Sequence, residues 1–258
     1  MKAMFKFFND DSEWDIFQNV IKIDRISFAK SKKEKALLKE IKSVEWSDNT
    51  GVRPDFISDE IMIEMFEIDD IVSTKKGKNN PQRKADARAF RTVQSLQEIL
   101  PKDVGIVAMG DTRFDPKTGN YILDKTEEHH NYQAYINNFR RICQKHLDGV
   151  KAYRRNYPDK KLGFLIIDDA TVYVPKKSKM LVSDAFDNFP FFDKNFMNLF
   201  VKSDVDFVLW AFNNKYVYVN GDHGQNTYVP DLVLISKENY YTKKTRKFIP
   251  ELMMSLED

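Results

Sequence analysis

Two acidic residues of this chain have the type and spacing to hold a divalent cation. Asp55 follows Pro54 in a short extended stretch, and Glu64 interrupts the apolar run from Ile61 to Ile68. A charged side chain in such a run is costly unless it is paired or bound to a metal. Carboxylates from neighbouring strands can converge on Mg²⁺, which prefers oxygen ligands, and a bound ion can generate hydroxide and stabilise a phosphorane-like transition state.

A third carboxylate of the same run, Glu67, is predicted on the opposite face of the strand from Glu64, because side chains alternate along a strand. The simpler interpretation of these residues remains open. In that interpretation Asp55 is a turn residue and Glu64 takes part in a salt bridge. The acids Asp168 and Asp169, at the end of a later buried strand, could supply a further ligand or form an ordinary turn.

The elements that must position these residues alternate between helices and strands. Ser31 and Glu34 form a capping-box signature that begins a helix reaching Val44. Further helices are predicted over residues 82–100, 130–157 and 184–202. Strands are predicted over residues 53–57, 61–68, 104–109, 162–168, 205–212, 215–219 and 228–235. This order predicts an α/β (α+β) fold with a mixed central sheet flanked by helices.

The domain organisation follows from the absence of a long Gly- or Ser-rich linker. We expect a single domain over residues 1–258 with a core over about 31–170. Residues 171–258 are expected to form a C-terminal helix and β-hairpin, either as an elaboration of the same sheet or as a small subdomain.

Pro54-Asp55, a short turn and an apolar strand that carries Glu64 resemble the PD-(D/E)XK nuclease superfamily, over roughly residues 31–100. The resemblance implies a restriction-endonuclease-like fold in which Asp55 and Glu64 bind Mg²⁺ or Mn²⁺. The helix before the motif often supplies another Glu in that family, and Glu40 fits this role. The resemblance also implies a nuclease acting on nucleic acid, most simply double-stranded DNA, in a restriction, mobile-element or phage-related setting.

One position departs from the family pattern. The family has a lysine two residues after the second acid, where it helps to activate water, whereas this chain has Phe66. If Glu67 is the acid instead, Asp69 occupies that position. Lys84, or a loop lysine such as Lys75 or Lys78, could supply the missing group. The alternative is a catalytically inactive descendant that binds nucleic acid or protein.

The near-neutral net charge of +2 divides unevenly along the chain. Residues 1–70 hold 11 basic and 16 acidic side chains, and residues 71–161 hold 19 and 10. The acidic block suits a cation site and the basic block suits phosphates, although ordinary scatter over solvated helices would also account for the counts. The basic candidates for nucleic-acid binding are Lys75, Lys76, Lys78, Arg88, Arg91, Arg140, Arg141, Arg154 and Arg155.

Other patterns exclude several classes of protein. No apolar run approaches the ~18 to 20 residues of a membrane helix, and no signal-peptide core is present, so a cytoplasmic location without membrane partners is expected. The single cysteine, Cys143, excludes a disulfide framework and is predicted to be a buried apolar residue. The sequence has no phosphate-binding Gly loop and no GxSxG motif. A cutter of palindromic sites would be expected to form a homodimer.

Overall fold

The structure, a computed structural model, describes residues 12–22, 27–49, 51–70, 112–115, 120–123, 130–176, 188–212 and 232–255. Its centre is a seven-stranded mixed sheet with helices on both faces. The α/β class that the alternating pattern predicts is therefore confirmed.

The helices and strands have the following bounds. The α-helices are α1 (Glu13–Val20), α2 (Lys32–Ser43), α3 (Tyr132–Leu147), α4 (Val150–Asn156) and α5 (Lys194–Val201). The strands of the seven-stranded sheet are β1 (Ser27–Ala29), β2 (Ser47–Asp48), β3 (Phe56–Ile57), β4 (Ile61–Ile68), β7 (Lys161–Asp168), β9 (Phe207–Phe212) and β10 (Leu232–Ser236). Two smaller sheets pair β5 (Thr112–Asp115) with β6 (Asn120–Leu123), and β8 (Tyr173–Pro175) with β11 (Met253–Ser255). Short 3₁₀ turns cover Pro190–Phe192, Lys237–Asn239 and Pro250–Leu252.

The strand order in the large sheet is β1-β10-β9-β7-β4-β3-β2. The three central strands β4, β7 and β9 run parallel to one another. On one side of them β3 runs antiparallel to both β4 and β2. On the other side β10 runs antiparallel to β9 and parallel to β1. The two strands with the longest apolar runs, β4 and β7, therefore lie in the interior of the sheet, as strands buried on both faces should.

Alternate residues of the central strands pack into two separate apolar layers. The layer under α1 and α2 includes Phe17, Val20, Leu38, Ile41, Ile61, Ile63, Leu165 and Leu209. The layer under α3, α4 and α5 includes Met62, Phe66, Phe139, Cys143, Tyr153, Phe164, Phe196, Phe200 and Trp210. Cys143 is a buried free thiol, and burial raises its pKa. Glu64 belongs by alternation to the second layer, under α3 and α4.

The predicted capping box of α2 is confirmed. The Ser31 hydroxyl accepts from the Glu34 backbone N–H at 3.1 Å, and the Glu34 carboxylate accepts from the Ser31 N–H at 2.8 Å. The second carboxylate oxygen of Glu34 accepts from the Ser236 N–H, also at 2.8 Å. The capping residue thus also ties the start of α2 to the end of β10.

Two predicted helices are shorter than expected. The helix predicted over residues 130–157 is interrupted at Asp148 and Gly149, between α3 and α4. Of the helix predicted over residues 184–202, the described part from residue 188 onward contains α5, which begins only after Pro190 has started a 3₁₀ turn and Asp193 has capped α5 by accepting from the Asn195 N–H at 2.8 Å. The elements predicted at residues 82–100, 104–109 and 215–219 lie outside the described residues.

Within the described part of the chain, no helix combines the length and the apolar character needed to cross a bilayer.

Candidate functional site

The hairpin of β3 and β4 sets the relative position of the two predicted acids. Phe56 pairs with Ile63 and Ile57 pairs with Met62. Asp55 directly precedes β3 and Glu64 directly follows Ile63, so continuing this register by one step beyond β3 sets the two acids opposite each other, and Glu64 is close enough to raise the pKa of Asp55. At the turn, the Ser58 backbone N–H donates to Ile61 O at 2.8 Å, which fixes this register. The hairpin therefore brings Asp55 and Glu64 together.

The Asp55 carboxylate accepts a hydrogen bond that a backbone carbonyl of a neighbouring strand would otherwise accept. Its Oδ2 accepts from the Met65 N–H at 2.8 Å, at the point where β3 has ended and can no longer offer a carbonyl. Its own carbonyl accepts from the Asn49 N–H at 2.7 Å. The side chain is buried. One oxygen of Asp55 therefore has a structural role at the edge of the sheet.

Three donors converge on one oxygen of Glu64. His146 Nδ1 lies 2.7 Å from Oε1, and the Tyr153 hydroxyl donates to the same oxygen at 2.9 Å. The Arg53 guanidinium lies 3.4 Å from it. The salt-bridge interpretation of Glu64 is therefore correct, and the partners come from α3, α4 and the turn before β3.

The second oxygen of Glu64 is in a different position. Oε2 is buried and has no hydrogen-bond partner among the described residues, and the whole residue has 0% exposure. A buried polar atom without a partner costs about 1–3 kcal/mol, so each one calls for an explanation such as a bound ion or water. Since Asp55 stands opposite, a cation between the two carboxylates would satisfy Oε2.

Asp55 and Glu64 are both buried, and their proximity affects the titration of Asp55 and of the groups around them. Burial, and secondarily the proximity of Glu64, raise the pKa of Asp55 to about 7. Nearby Glu64 raises the pKa of the Arg53 guanidinium. Burial and the Glu64 carboxylate also raise the pKa of the Tyr153 phenol, so Tyr153 remains a donor. A carboxyl group whose pKa is raised by burial and by a neighbouring acid, as that of Asp55 is, is a candidate for a functional site.

The other predicted acids do not join this pair. Glu40 lies on α2, over the opposite face of the sheet, and its carboxylate is 3.5 Å from Lys161 Nζ. Glu67 points to that same opposite face and is exposed. Asp168 is four residues beyond Phe164, the partner of Glu64 in β7, which is ~13 Å along the strand. Asp168 instead accepts from Trp210 Nε1 at 2.7 Å and from the Tyr135 hydroxyl.

The predicted basic residues fall into three groups. Arg140 donates to Asn195, and Arg154 donates to Lys160 O, Asp204 O and the Asp206 carboxylate, so both hold elements of the protein together. Arg141 and Arg155 are exposed on α3 and α4. The remaining candidates lie outside the described residues: Lys75, Lys76, Lys78, Lys84, Arg88 and Arg91.

Three residues around Glu64 were not predicted from the sequence. Arg53, the residue before Pro54, has a left-handed backbone with φ of 66°, and its guanidinium lies 3.4 Å from Glu64 Oε1. His146 and Tyr153 contact Glu64 across 82 and 89 residues of sequence. Their spacing of seven residues matches one face of a helix and was an available signal, although the break at Gly149 divides that helix.

The ligand set available to a metal here is two carboxylates. Within the residues that the structure describes, no group of three or more His, Cys, Asp or Glu side chains forms a metal cluster. Mg²⁺ is commonly bound through only one or two carboxylates, with water and substrate phosphates completing its shell. The pair of Asp55 and Glu64, with the unpartnered Oε2, fits that kind of ion.

Comparisons of the chain with protein-family models, curated proteins and solved structures find no match.

Proposed function

We propose that this protein is a metal-dependent endonuclease that hydrolyses phosphodiester bonds, most simply those of double-stranded DNA. The observation that carries the proposal is the buried Oε2 of Glu64, which has no partner among the described residues, on a carboxylate close enough to Asp55 to raise the pKa of that second buried acid. Orphaned carboxylate oxygens beside a second buried acid suit a hard divalent cation.

In this proposal Asp55 and Glu64 hold Mg²⁺ or Mn²⁺. The bound ion supplies a Lewis acid and lowers the pKa of a coordinated water. The protein's own groups orient the site: His146 and Tyr153 fix Glu64, and the Met65 N–H fixes Asp55. The half-exposed Arg53 guanidinium is close enough to the acids to contact a substrate phosphate.

The restriction-endonuclease-like fold is part of the same proposal. Its support is the order of elements around the acids: α2, then the antiparallel strands β2, β3 and β4, with Pro54-Asp55 before β3 and Glu64 within β4. Later in the chain the helices α3 and α4 lead into β7, which is parallel to β4.

A second candidate is a nuclease-like protein that binds nucleic acid or protein without cleavage. Two observations favour it. Phe66 occupies the lysine position, and Arg53 already brings a positive charge to Glu64, with 3.4 Å between the charged atoms. In this alternative the arginine takes the place of the cation.

Cleavage of plasmid DNA separates the two candidates. The protein is incubated with supercoiled plasmid and Mg²⁺ or Mn²⁺, beside an EDTA control and the variant Asp55→Asn, which keeps an acceptor for the Met65 N–H. An endonuclease nicks or linearises the plasmid only with metal, and Asp55→Asn loses this activity by a factor of at least ~10², the scale of one catalytic group.

The matched control is Asp59→Asn, which removes an exposed carboxylate from the turn between β3 and β4. It should cleave as the unmodified protein does. Absence of metal-dependent cleavage, or equal cleavage by Asp55→Asn, rules out the endonuclease and leaves the binding protein.

A further inference from the structure

The residue in the lysine position is part of the site. Phe66 follows Glu64 by two residues on β4, so both side chains face α3 and α4. The Phe66 ring stacks on the imidazole of His146, with 4.6 Å between ring centroids and 15° between planes. It also meets the ring of Phe164 edge-on at 5.6 Å. Phe66 therefore packs against one face of the His146 ring and restricts its orientation.

His146 brings a nitrogen to the place beside Glu64. It lies in the last turn of α3 and is buried, and its Nδ1 is 2.7 Å from Glu64 Oε1. A lysine at position 66 would extend from the same strand face toward the same carboxylate. In this chain that side of Glu64 is occupied by an imidazole from another element, and the aromatic ring of residue 66 holds the imidazole in place.

We infer that His146, supported by Phe66, is the residue that positions Glu64 for metal binding. This inference rests on the proposed function. His146 and Tyr153 bind Oε1 and thereby fix the carboxylate so that Oε2 is the oxygen offered to the cation. Phe66 thus has a role at the site through His146, which is separate from the water activation that the family's lysine assists.

The physical basis is that the Glu64 side chain, which would be a metal ligand, is held in one conformation before the metal binds. A glutamate side chain that can rotate must be ordered when the metal arrives, and its hydrogen-bond partners remove that cost in advance. Loss of such a partner weakens metal binding or activity by about 10- to 100-fold. His146 acts on the ligand oxygen through the other oxygen of the same carboxylate, so its effect should appear first in metal affinity.

The test measures Mn²⁺ affinity by calorimetry and Mn²⁺-dependent plasmid cleavage on the full chain. We expect His146→Ala to weaken Mn²⁺ binding by about 10- to 100-fold. His146→Asn keeps an N–H donor near the position of Nδ1 and should recover most of the affinity. Phe66→Leu removes the stacked ring and should fall between the two.

A control separates positioning from general loss of structure. Phe200→Leu alters the same apolar layer, since Phe200 is buried on α5 with its ring against those of Phe139, Phe164 and Tyr240. If Phe66 is only a core residue, Phe66→Leu and Phe200→Leu will have the same Mn²⁺ affinity at the same melting temperature. That result overturns the inference.

The remaining outcomes are equally distinct. Wild-type Mn²⁺ affinity and cleavage in His146→Ala would refute the role of His146 and leave the proposed nuclease standing. An unmodified protein that neither binds Mn²⁺ nor cleaves DNA would refute the proposed function and this inference together. Failure of His146→Asn to recover affinity, with its fold intact, would also contradict the role of the donor.

Discussion

Glu64 is a buried carboxylate whose two oxygens have unequal surroundings. Oε1 has three donors within 3.4 Å, whereas Oε2 has none among the described residues. A salt bridge that served only stability would be expected to satisfy both oxygens, because breaking the solvation of a buried charge is costly. This asymmetry is the reason to assign the residue a ligand as well as a structural role.

Asp55 gives the site a pH dependence that can be measured on the folded protein. Its raised pKa, about 7, means that the folded state favours the protonated carboxyl. The stability that this protonation provides is complete below the ordinary carboxyl pKa and is lost as the pH rises through about 7.

We therefore predict that, in EDTA, Asp55→Asn is more stable than the unmodified protein at pH ~8, by on the order of 1–3 kcal/mol, and gains little at pH ~4. Urea unfolding across that range measures the difference. The Asp59→Asn control should follow the unmodified protein throughout. If the free energies of unfolding of Asp55→Asn and the unmodified protein change in parallel with pH, the pKa of Asp55 is not raised in the folded state.

At the scale of elements, the break between α3 and α4 lets two helices contact one carboxylate. A β-carbon added at Gly149 would lie 2.5 Å from the Tyr153 hydroxyl and 2.6 Å from its ring carbon. The absence of a side chain at Gly149 therefore allows Tyr153 to reach Glu64. A continuous helix, as predicted from the sequence, would not contain this contact in the same form.

Gly149→Ala is predicted to displace Tyr153 and to lower the free energy of unfolding by about 1–3 kcal/mol, the usual cost of overpacking. Urea denaturation measures the change. Gly51→Ala is the matched control, because nothing lies within 4 Å of a β-carbon added there, and its effect should stay within about 0.5 kcal/mol. Equal effects of the two substitutions would contradict the close approach of Tyr153.

The elements that the sequence predicts well are those with strong local signals. The capping box of α2 and the apolar runs of β4 and β7 all appear near their predicted bounds. The order of acid, turn and acid also suits a hairpin, which is a local structure, and β3 and β4 form one. The periodicity of apolar residues indicates on which face of a helix or strand a side chain lies, but it does not identify the partner that this side chain contacts.

The rest of the site depends on contacts that no local pattern contains. The left-handed backbone of Arg53 and the approach of His146 to Glu64 are set by tertiary packing. The position of Glu40 shows the same limit. Periodicity places Glu40 on α2, but it does not reveal which face of the sheet α2 covers, and that face is the one opposite Glu64.

At the scale of the whole molecule, the arginines in the basic middle of the chain differ in whether they bond to other parts of the protein or are exposed to solvent. Arg154 bonds to the Asp206 carboxylate at 2.7 Å and to two backbone carbonyls, at 2.7 Å and 2.6 Å. Arg141 and Arg155 are exposed on α3 and α4. The charge count along the sequence cannot distinguish these cases, whereas their contacts can.

We predict that Arg141→Gln and Arg155→Gln each reduce the slope of log affinity against log salt by about 1 for a DNA duplex, with unchanged stability. Fluorescence anisotropy between about 50 and 200 mM salt, in EDTA, measures this slope. Arg154→Gln should instead lower the free energy of unfolding by about 1–3 kcal/mol. The reverse pattern would place the DNA contacts elsewhere.

The central claim is that Asp55 and Glu64 bind a divalent cation, and a calorimetric Mn²⁺ titration of the unmodified protein beside Glu64→Gln tests it most directly. Glutamine keeps an acceptor for His146 and Tyr153 but removes the charge. The account predicts a saturable Mn²⁺ site whose affinity falls at least about 10-fold in Glu64→Gln and is unchanged in Asp59→Asn. No Mn²⁺ binding by the unmodified protein, or equal binding by Glu64→Gln, would contradict it.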